Sequence, residues 1–218
     1  MARRTFKALL KSVFGENAWE YIREVYWRLW DAWHRVETSR IVEIASLSVV
    51  GKNHAHGYRY QPAGSIRKIL KDLRIDYGKY GFIDFGSGKG RVLLQAAEFP
   101  FKSVEGVEFC IELHRIAENN IRQYRRGKLR CGVLKSNLAD AAEFPPPAIP
   151  LVLFIHNPFS TEILASLLGN VRRSVVEHPR DVVIICAGKT MQTDYVEGIP
   201  NILVLWRREN FTAFRMPR

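Results

Sequence analysis

The segment of this chain whose residue types most directly imply chemistry is Asp84-Phe85-Gly86-Ser87-Gly88-Lys89-Gly90-Arg91, an acid followed by three alternating glycines. It follows the apolar run Phe82-Ile83 and precedes Val92-Leu93-Leu94, so it joins a strand to a helix, where open α/β sheets bind ligands. Glycines there let the backbone turn sharply and let a ligand approach without meeting a Cβ. A phosphate loop Gly-x-x-x-x-Gly-Lys-Ser/Thr is excluded, because Ile83 stands at its first glycine and Gly90 at its hydroxyl position. A dinucleotide fingerprint Gly-x-Gly-x-x-Gly/Ala fits Gly86 and Gly88 but meets Arg91 at the third site, too large for close helix–strand packing. An acid two residues before the first glycine repels a pyrophosphate and suits a cationic amine. Glu108 ends the next apolar run, eighteen residues beyond Gly90, and from a neighbouring strand tip it can accept both hydroxyls of a ribose. The two acids together point to a ligand with an amino-acid head and a ribose.

A second constellation follows the apolar run Leu151–Ile155, which leads into His156-Asn157-Pro158-Phe159. An asparagine amide oxygen accepts hydrogen bonds from a neutral amine and orients its lone pair. Proline fixes the backbone and removes a competing donor. An aromatic ring stacks a base or faces a cation, and a histidine such as His156 is a candidate general base, since the free imidazole titrates near neutrality. The same residues also fit a plain turn after a buried strand, with a packed histidine.

These residues need elements to hold them. Ile66, Ile69, Leu70 and Leu73 make a helical face, and Ile111 to Tyr124 and Ile163 to Val176 read as further helices. Strands are expected at Phe82–Phe85, Val104–Phe109, Leu129–Leu134, Leu151–Ile155, Val182–Ala187, Ile202–Trp206 and Phe211–Met216. Alternating strands and helices imply an α/β fold with a mostly parallel sheet covered on both faces. The last two strands, joined by a short turn, must be antiparallel. Before them, Trp19, Ile22, Tyr26, Leu29, Trp30, Trp33 and Val36 recur at three and four, a helical stripe expected to pack on the core. Residues 51–64 are loop-like, and the boundary is drawn between an N-terminal helical extension, 1–57, and a main domain, 58–218.

With 33 Lys plus Arg against 22 Asp plus Glu, the net charge of +11 favours acidic or phosphate-bearing partners at long range. Its densest stretch is Arg122, Arg125, Arg126, Lys128, Arg130 and Lys135, which reads as a solvated helix end or as a phosphate-facing patch. Cys110, Cys131 and Cys186 have no C-x-x-C spacing, which suits a reducing compartment, and a cytoplasmic location is expected. His54 and His56 stand without a third ligand nearby, so no metal is expected. No apolar run is long enough to span a bilayer, and acids within the N-terminal helix argue against a membrane-surface role for it.

The runs Phe82-Ile-Asp-Phe-Gly-Ser-Gly-Lys-Gly-Arg91, Gly106-Val-Glu-Phe109, Asp140-Ala-Ala-Glu-Phe-Pro145 and Leu151-Val-Leu-Phe-Ile-His-Asn-Pro-Phe159 together resemble the class I S-adenosylmethionine-dependent methyltransferases. The likeness covers about residues 60–218 and implies a Rossmann-like, doubly wound sheet of seven strands with an antiparallel C-terminal hairpin. By that resemblance S-adenosylmethionine is the cofactor and S-adenosylhomocysteine the product. Asp84, Gly86, Ser87, Gly88 and Gly90 would hold its methionine part, Glu108 the ribose and Asp140 the adenine amine, with Asn137 as an alternative. Asp140 also suits a helix N-cap. The run His156-Asn157-Pro158-Phe159 is similar to the Asn/Asp-Pro-Pro-Tyr/Phe motif of members that methylate nitrogen, although one proline is missing. Tyr58-Arg-Tyr-Gln-Pro62 resembles a Tyr-x-Pro-Thr segment of some protein-lysine methyltransferases, with Tyr60 over the cofactor and Ala63 where the threonine stands. The expected activity is therefore methyl transfer to a nitrogen of a protein lysine or another amine. A nucleic-acid base is the alternative acceptor, and a non-catalytic cofactor-binding interaction module the alternative class.

Overall fold

Short runs of Val, Ile, Leu and Phe bounded by Gly, Pro or Asp form the middle of a seven-stranded sheet in this computed structural model. It describes residues 21–22, 24–40, 63–125, 127–156, 159–187, 191–208 and 211–217. The strands are β1 Gly81–Phe85, β2 Ser103–Glu108, β3 Leu134–Leu138, β4 Leu151–His156, β5 Val182–Ala187, β6 Leu203–Arg208 and β7 Phe211–Arg215. They lie in the order β3-β2-β1-β4-β5-β7-β6. β1 to β5 are parallel, and β7 runs antiparallel to both β5 and β6. The helices are α1 (24–34), α2 Ala63–Leu73, α3 Arg91–Ala96, α4 Ile111–Gln123, α5 Thr161–Glu177 and α6 Met191–Glu197.

The central strands are apolar on both faces because helices cover both. On one face Ile83, Phe85, Leu153, Ile155 and Ile184 pack against Leu164, Leu167, Leu168 and Val171 of α5. On the other, Phe82, Val152, Phe154, Val183 and Ile185 meet Ile66, Ile69 and Leu70 of α2 and Val92, Leu93 and Ala96 of α3. The strand order reverses between β1 and β4, which opens a crevice at the carboxyl ends of these two strands.

Three expectations are corrected. The third strand is not Leu129–Leu134 but begins at Leu134. As an edge strand it pairs, among the described residues, only with β2, carries Lys135, Ser136 and Asn137, and so lacks the apolar signature of a buried strand. Lys135 instead meets its cross-strand partner Glu105 in an ion pair of 3.0 Å. Helix α6 was not expected, since Met191-Gln-Thr-Asp-Tyr-Val-Glu197 has little apolar periodicity. The third correction concerns α1. Its packed face is Trp27, Trp30, Asp31 and His34, whereas Ile22, Tyr26, Leu29 and Trp33 of the expected stripe are exposed, Leu29 by 65% and Trp33 by 58%. The face is chosen by what it meets, namely Leu94 and Tyr124 and the cation of Arg91, whose guanidinium carbon lies 4.3 Å from the Trp27 ring centre. Trp19 lies outside the described residues. No helix among the described residues is long and apolar enough to cross a membrane.

Candidate functional site

The glycine loop crosses from β1 to α3 through three left-handed residues, Gly86 (φ 74°), Gly88 (φ 53°) and Gly90 (φ 80°). A Cβ is strained in that region, so alternating glycines are what this path requires. The Gly86 and Ser87 N–H groups both donate to Val107 O of β2, at 2.9 and 3.2 Å, and Gly90 N–H donates to Ser87 O at 2.9 Å. The loop sits so close to β2 that a Cβ on Gly106 would lie 2.5 Å from Ser87 Oγ and 2.7 Å from Leu93 Cδ1. The Ser87 hydroxyl therefore points at the sheet, buried without a hydrogen-bond partner among the described residues.

Two carboxylates close the floor of the crevice, each only 3% exposed. Glu108 Oε2 accepts the Gly88 N–H (2.7 Å) and Oε1 accepts the Cys110 N–H (2.9 Å). Burial pushes its pKa up, opposed by the N–H groups of Cys110, Gly88 and Phe109. Asp84, at the end of β1, accepts no hydrogen bond among the described residues. Burial holds its carboxyl well above the usual range, and the negative charge of Glu108 pushes it further the same way. Asp84 is in register with Phe154 of β4, and His156 lies two residues beyond Phe154. Strand alternation thus puts Asp84 and His156 on one face of the sheet at the tips of adjacent strands.

The other expected site residues are distributed as follows. Asp140, after β3, accepts the Ala142 N–H on Oδ1 (2.8 Å) and caps the turn that follows it. Asn137 donates to Glu105 Oε2 and Gly106 O and so serves the sheet. Phe159 has its ring in the core beside α5, and its carbonyl accepts from Gln192 Nε2 of α6 (2.9 Å). Asn157, Pro158, Tyr58 and Tyr60 lie outside the described residues, as do His54 and His56. Among the described residues no group of three or more His, Cys, Asp and Glu side chains could hold a metal ion.

Sequence reasoning missed Gln192, which tethers the strap after β4, and the residues that meet Lys89 and Arg91. The two cations of the motif do not face the crevice. Lys89 Nζ donates to Glu37 Oε1 and to Arg40 O (2.7 Å), and Arg91 Nε donates to Thr38 Oγ1 (2.6 Å). The signal available was the pair of acids Asp31 and Glu37, in a stretch that reads as an amphipathic helix and its end.

No protein-family model matches the sequence, and no curated protein matches it. Among solved structures, the chain is similar to a ribosomal protein L11 methylase from Lactobacillus delbrueckii subsp. bulgaricus, with TM-score 0.51 and 16% identity over 75% of this chain and 81% of that one. An RNA methyltransferase from Salinibacter ruber in complex with S-adenosyl-L-homocysteine matches with TM-score 0.42 and 19% identity, over 72% and 92% of the two chains. A magnesium protoporphyrin IX methyltransferase from Synechocystis PCC 6803 with bound S-adenosylmethionine matches with TM-score 0.47 and 13% identity, over 70% and 77%. The strand order, the closing antiparallel hairpin and the likeness to the L11 methylase together establish for this chain the Rossmann-like seven-stranded fold that the methylase has.

Proposed function

We propose that the protein is an S-adenosylmethionine-dependent methyltransferase acting on a nitrogen, with a protein lysine or another amine as acceptor. One observation carries the cofactor reading: a buried carboxylate that accepts no hydrogen bond among the described residues, Asp84, stands beside a glycine loop at the switch-point crevice. A buried acid in that state lacks a cation, and the ammonium of a methionine moiety is one. The residues present therefore fit the group. Asp84 would receive the ammonium, while the left-handed path through Gly86, Gly88 and Gly90 leaves room for it. Glu108 accepts two backbone N–H groups, one on each oxygen, and a carboxylate has about four acceptor sites. That leaves acceptor capacity for the two ribose hydroxyls expected from sequence. The turn capped by Asp140 would receive the adenine end.

When bound, the cofactor supplies a methyl on a sulfonium, which an amine lone pair displaces in line to leave S-adenosylhomocysteine. The protein's part is positioning, which can supply most of such an acceleration. His156 at the tip of β4 is the described residue nearest in sequence to the acceptor motif, and it would take the proton that the methylated amine must lose. Asn157 and Pro158 are proposed to aim the acceptor nitrogen. Phe159, with its ring in the core, would brace that strap together with Gln192.

The second reading, a nucleic-acid base as acceptor, rests on the exposed Arg122, Arg125, Lys128, Arg130 and Lys135 and the charge of +11. Calorimetric titration with S-adenosylhomocysteine tests the cofactor, with micromolar binding expected in the wild type; no binding overturns the proposal. Transfer of labelled methyl to lysine peptides or to RNA then decides the acceptor. RNA binding whose affinity falls steeply with salt would favour the second reading. Binding without transfer to any acceptor would favour the interaction module.

A further inference from the structure

We infer that residues 31–40 form a built-in part of the glycine loop, fixing its ligand-ready path from the side away from the crevice. The inference rests on the proposed cofactor site but can be tested apart from it. The loop has two outer anchors. From β2, Glu108 holds the Gly88 N–H. From the other side the N-terminal segment holds Lys89 and Arg91, whose side chains are both buried.

Asn120 of α4 is the joint. Its Nδ2 donates to Lys89 O (2.9 Å) and to Glu37 O (2.9 Å), and its Oδ1 accepts the Glu37 N–H (2.8 Å). One fully buried amide thus ties the loop backbone to the extension backbone. Lys89 extends its ammonium to Glu37 Oε1 and Arg40 O, and its side chain is buried although Glu37 is half exposed. Arg91 donates to Thr38 Oγ1, lies 3.7 Å from Asp31 Oδ1 and stacks its guanidinium over Trp27. Asp31 in turn accepts from the backbone and hydroxyl of both Thr38 and Ser39, at 2.5 to 2.7 Å. Those four bonds fix the chain where it turns from α1 toward the loop.

Buried cations hold a conformation only where their partners are in place, since an unpaired one is costly. The three left-handed glycines have no conformational preference of their own to keep the loop in one path. Anchoring on both sides is what selects that path. A loop that is competent only part of the time binds its ligand more weakly by that fraction, so loosening the clamp reads out as lost affinity.

The test uses the full chain, with S-adenosylhomocysteine as probe, and measures both its affinity and amide hydrogen exchange of residues 86–91. Asn120→Ala is expected to weaken binding at least about tenfold, equivalent to a competent fraction of about one tenth, and to speed loop exchange in the free protein. Leu168→Ala, on the buried face of α5, controls for general destabilisation; it is expected to lower Tm while leaving affinity and loop exchange as in the wild type. Should Asn120→Ala fail to fold, Thr38→Val removes the Arg91 Nε acceptor while keeping the shape, and the same two readouts apply. Affinity within twofold of the wild type with unchanged loop exchange overturns the inference. If the wild type binds no S-adenosylhomocysteine, the cofactor proposal fails, yet faster loop exchange in Asn120→Ala still supports the clamp and unchanged exchange still refutes it.

Discussion

Replacing Asp84 by asparagine should strengthen the free protein and weaken its ligand binding, an opposition that a purely structural aspartate cannot produce. Asp84 is 3% exposed, accepts no hydrogen bond among the described residues and faces the charge of Glu108. Its carboxyl therefore titrates higher in the folded protein than in the unfolded chain, where it loses its proton near pH 4. From about pH 4 upward the folded state holds a proton that the unfolded state has released, so this group's contribution to stability is full below that pH. It is lost as pH rises through the folded-state value. Burial raises Glu108 in the same direction and gives it the same sign. Asparagine removes the charge at nearly constant shape, so the fall in Tm with rising pH should flatten in Asp84→Asn. Each kcal/mol recovered is worth about 2–4 °C of Tm in a chain of this size. The ligand side runs the other way. A hydrogen bond to a charged group is worth about 1.5–3 kcal/mol, which predicts S-adenosylhomocysteine binding weaker by roughly 10- to 150-fold. Binding of an ammonium should also drive a proton off the wild-type acid, visible as proton release when the titration is repeated in buffers of different ionisation enthalpy. Scanning calorimetry between pH 5 and 8 and titration calorimetry on both proteins supply the data. A lower Tm with unchanged affinity would refute the reasoning.

Gly106→Ala should cost about 1–3 kcal/mol as an overpacked contact and weaken S-adenosylhomocysteine binding, because its Cβ meets Ser87 Oγ and Leu93. Gly169→Ala, with nothing within 4 Å of the new Cβ on helix α5, should instead raise Tm by the helix preference of alanine, up to about 1 kcal/mol. Ser87→Ala deletes a buried hydroxyl that has no partner among the described residues, so denaturant unfolding should show a change within about 1 kcal/mol and titration an unchanged affinity. A large affinity loss there would return the side chain to the ligand. Trp27→Ala should destabilise by about 3–5 kcal/mol in denaturant unfolding, since Trp27 is 1% exposed and covers the Arg91 guanidinium.

Much of the fold was legible because its central strands are buried on both faces. A run such as Val182-Val-Ile-Ile-Cys-Ala187 allows no other placement, and strand β5 has those bounds. Legibility ended where burial was one-sided. Strand β3 is a solvated edge, and its place was given to the neighbouring Leu129–Leu134, of which Leu129 and Val133 are exposed. Helix α6 has too few apolar residues at helical spacing to announce itself, and what it does for the site, holding Phe159 O with Gln192, is a backbone contact that no motif encodes.

The site shows a subtler limit. Residue type told which groups the loop offers, but not the direction in which each points. Ser87, Lys89 and Arg91 belong to the motif by sequence, yet Ser87 turns to the sheet and both cations turn to the N-terminal segment, leaving the backbone and Asp84 at the crevice. Every second residue of an alternating-glycine loop is free of the glycine requirement, so those positions can serve packing while the glycines serve the path. The partners of Lys89 and Arg91 lie some fifty residues earlier, in a stretch whose apolar periodicity pointed to a different face of α1. The polar residues on that helix decide its orientation. Asp31 has to reach Arg91, Thr38 and Ser39 at once, and only the face carrying Trp27, Trp30 and His34 brings it there. Hydrophobic spacing alone assigns a helix its apolar face, but where a buried cation waits on the partner surface, the face that carries its counter-charge is the one that packs.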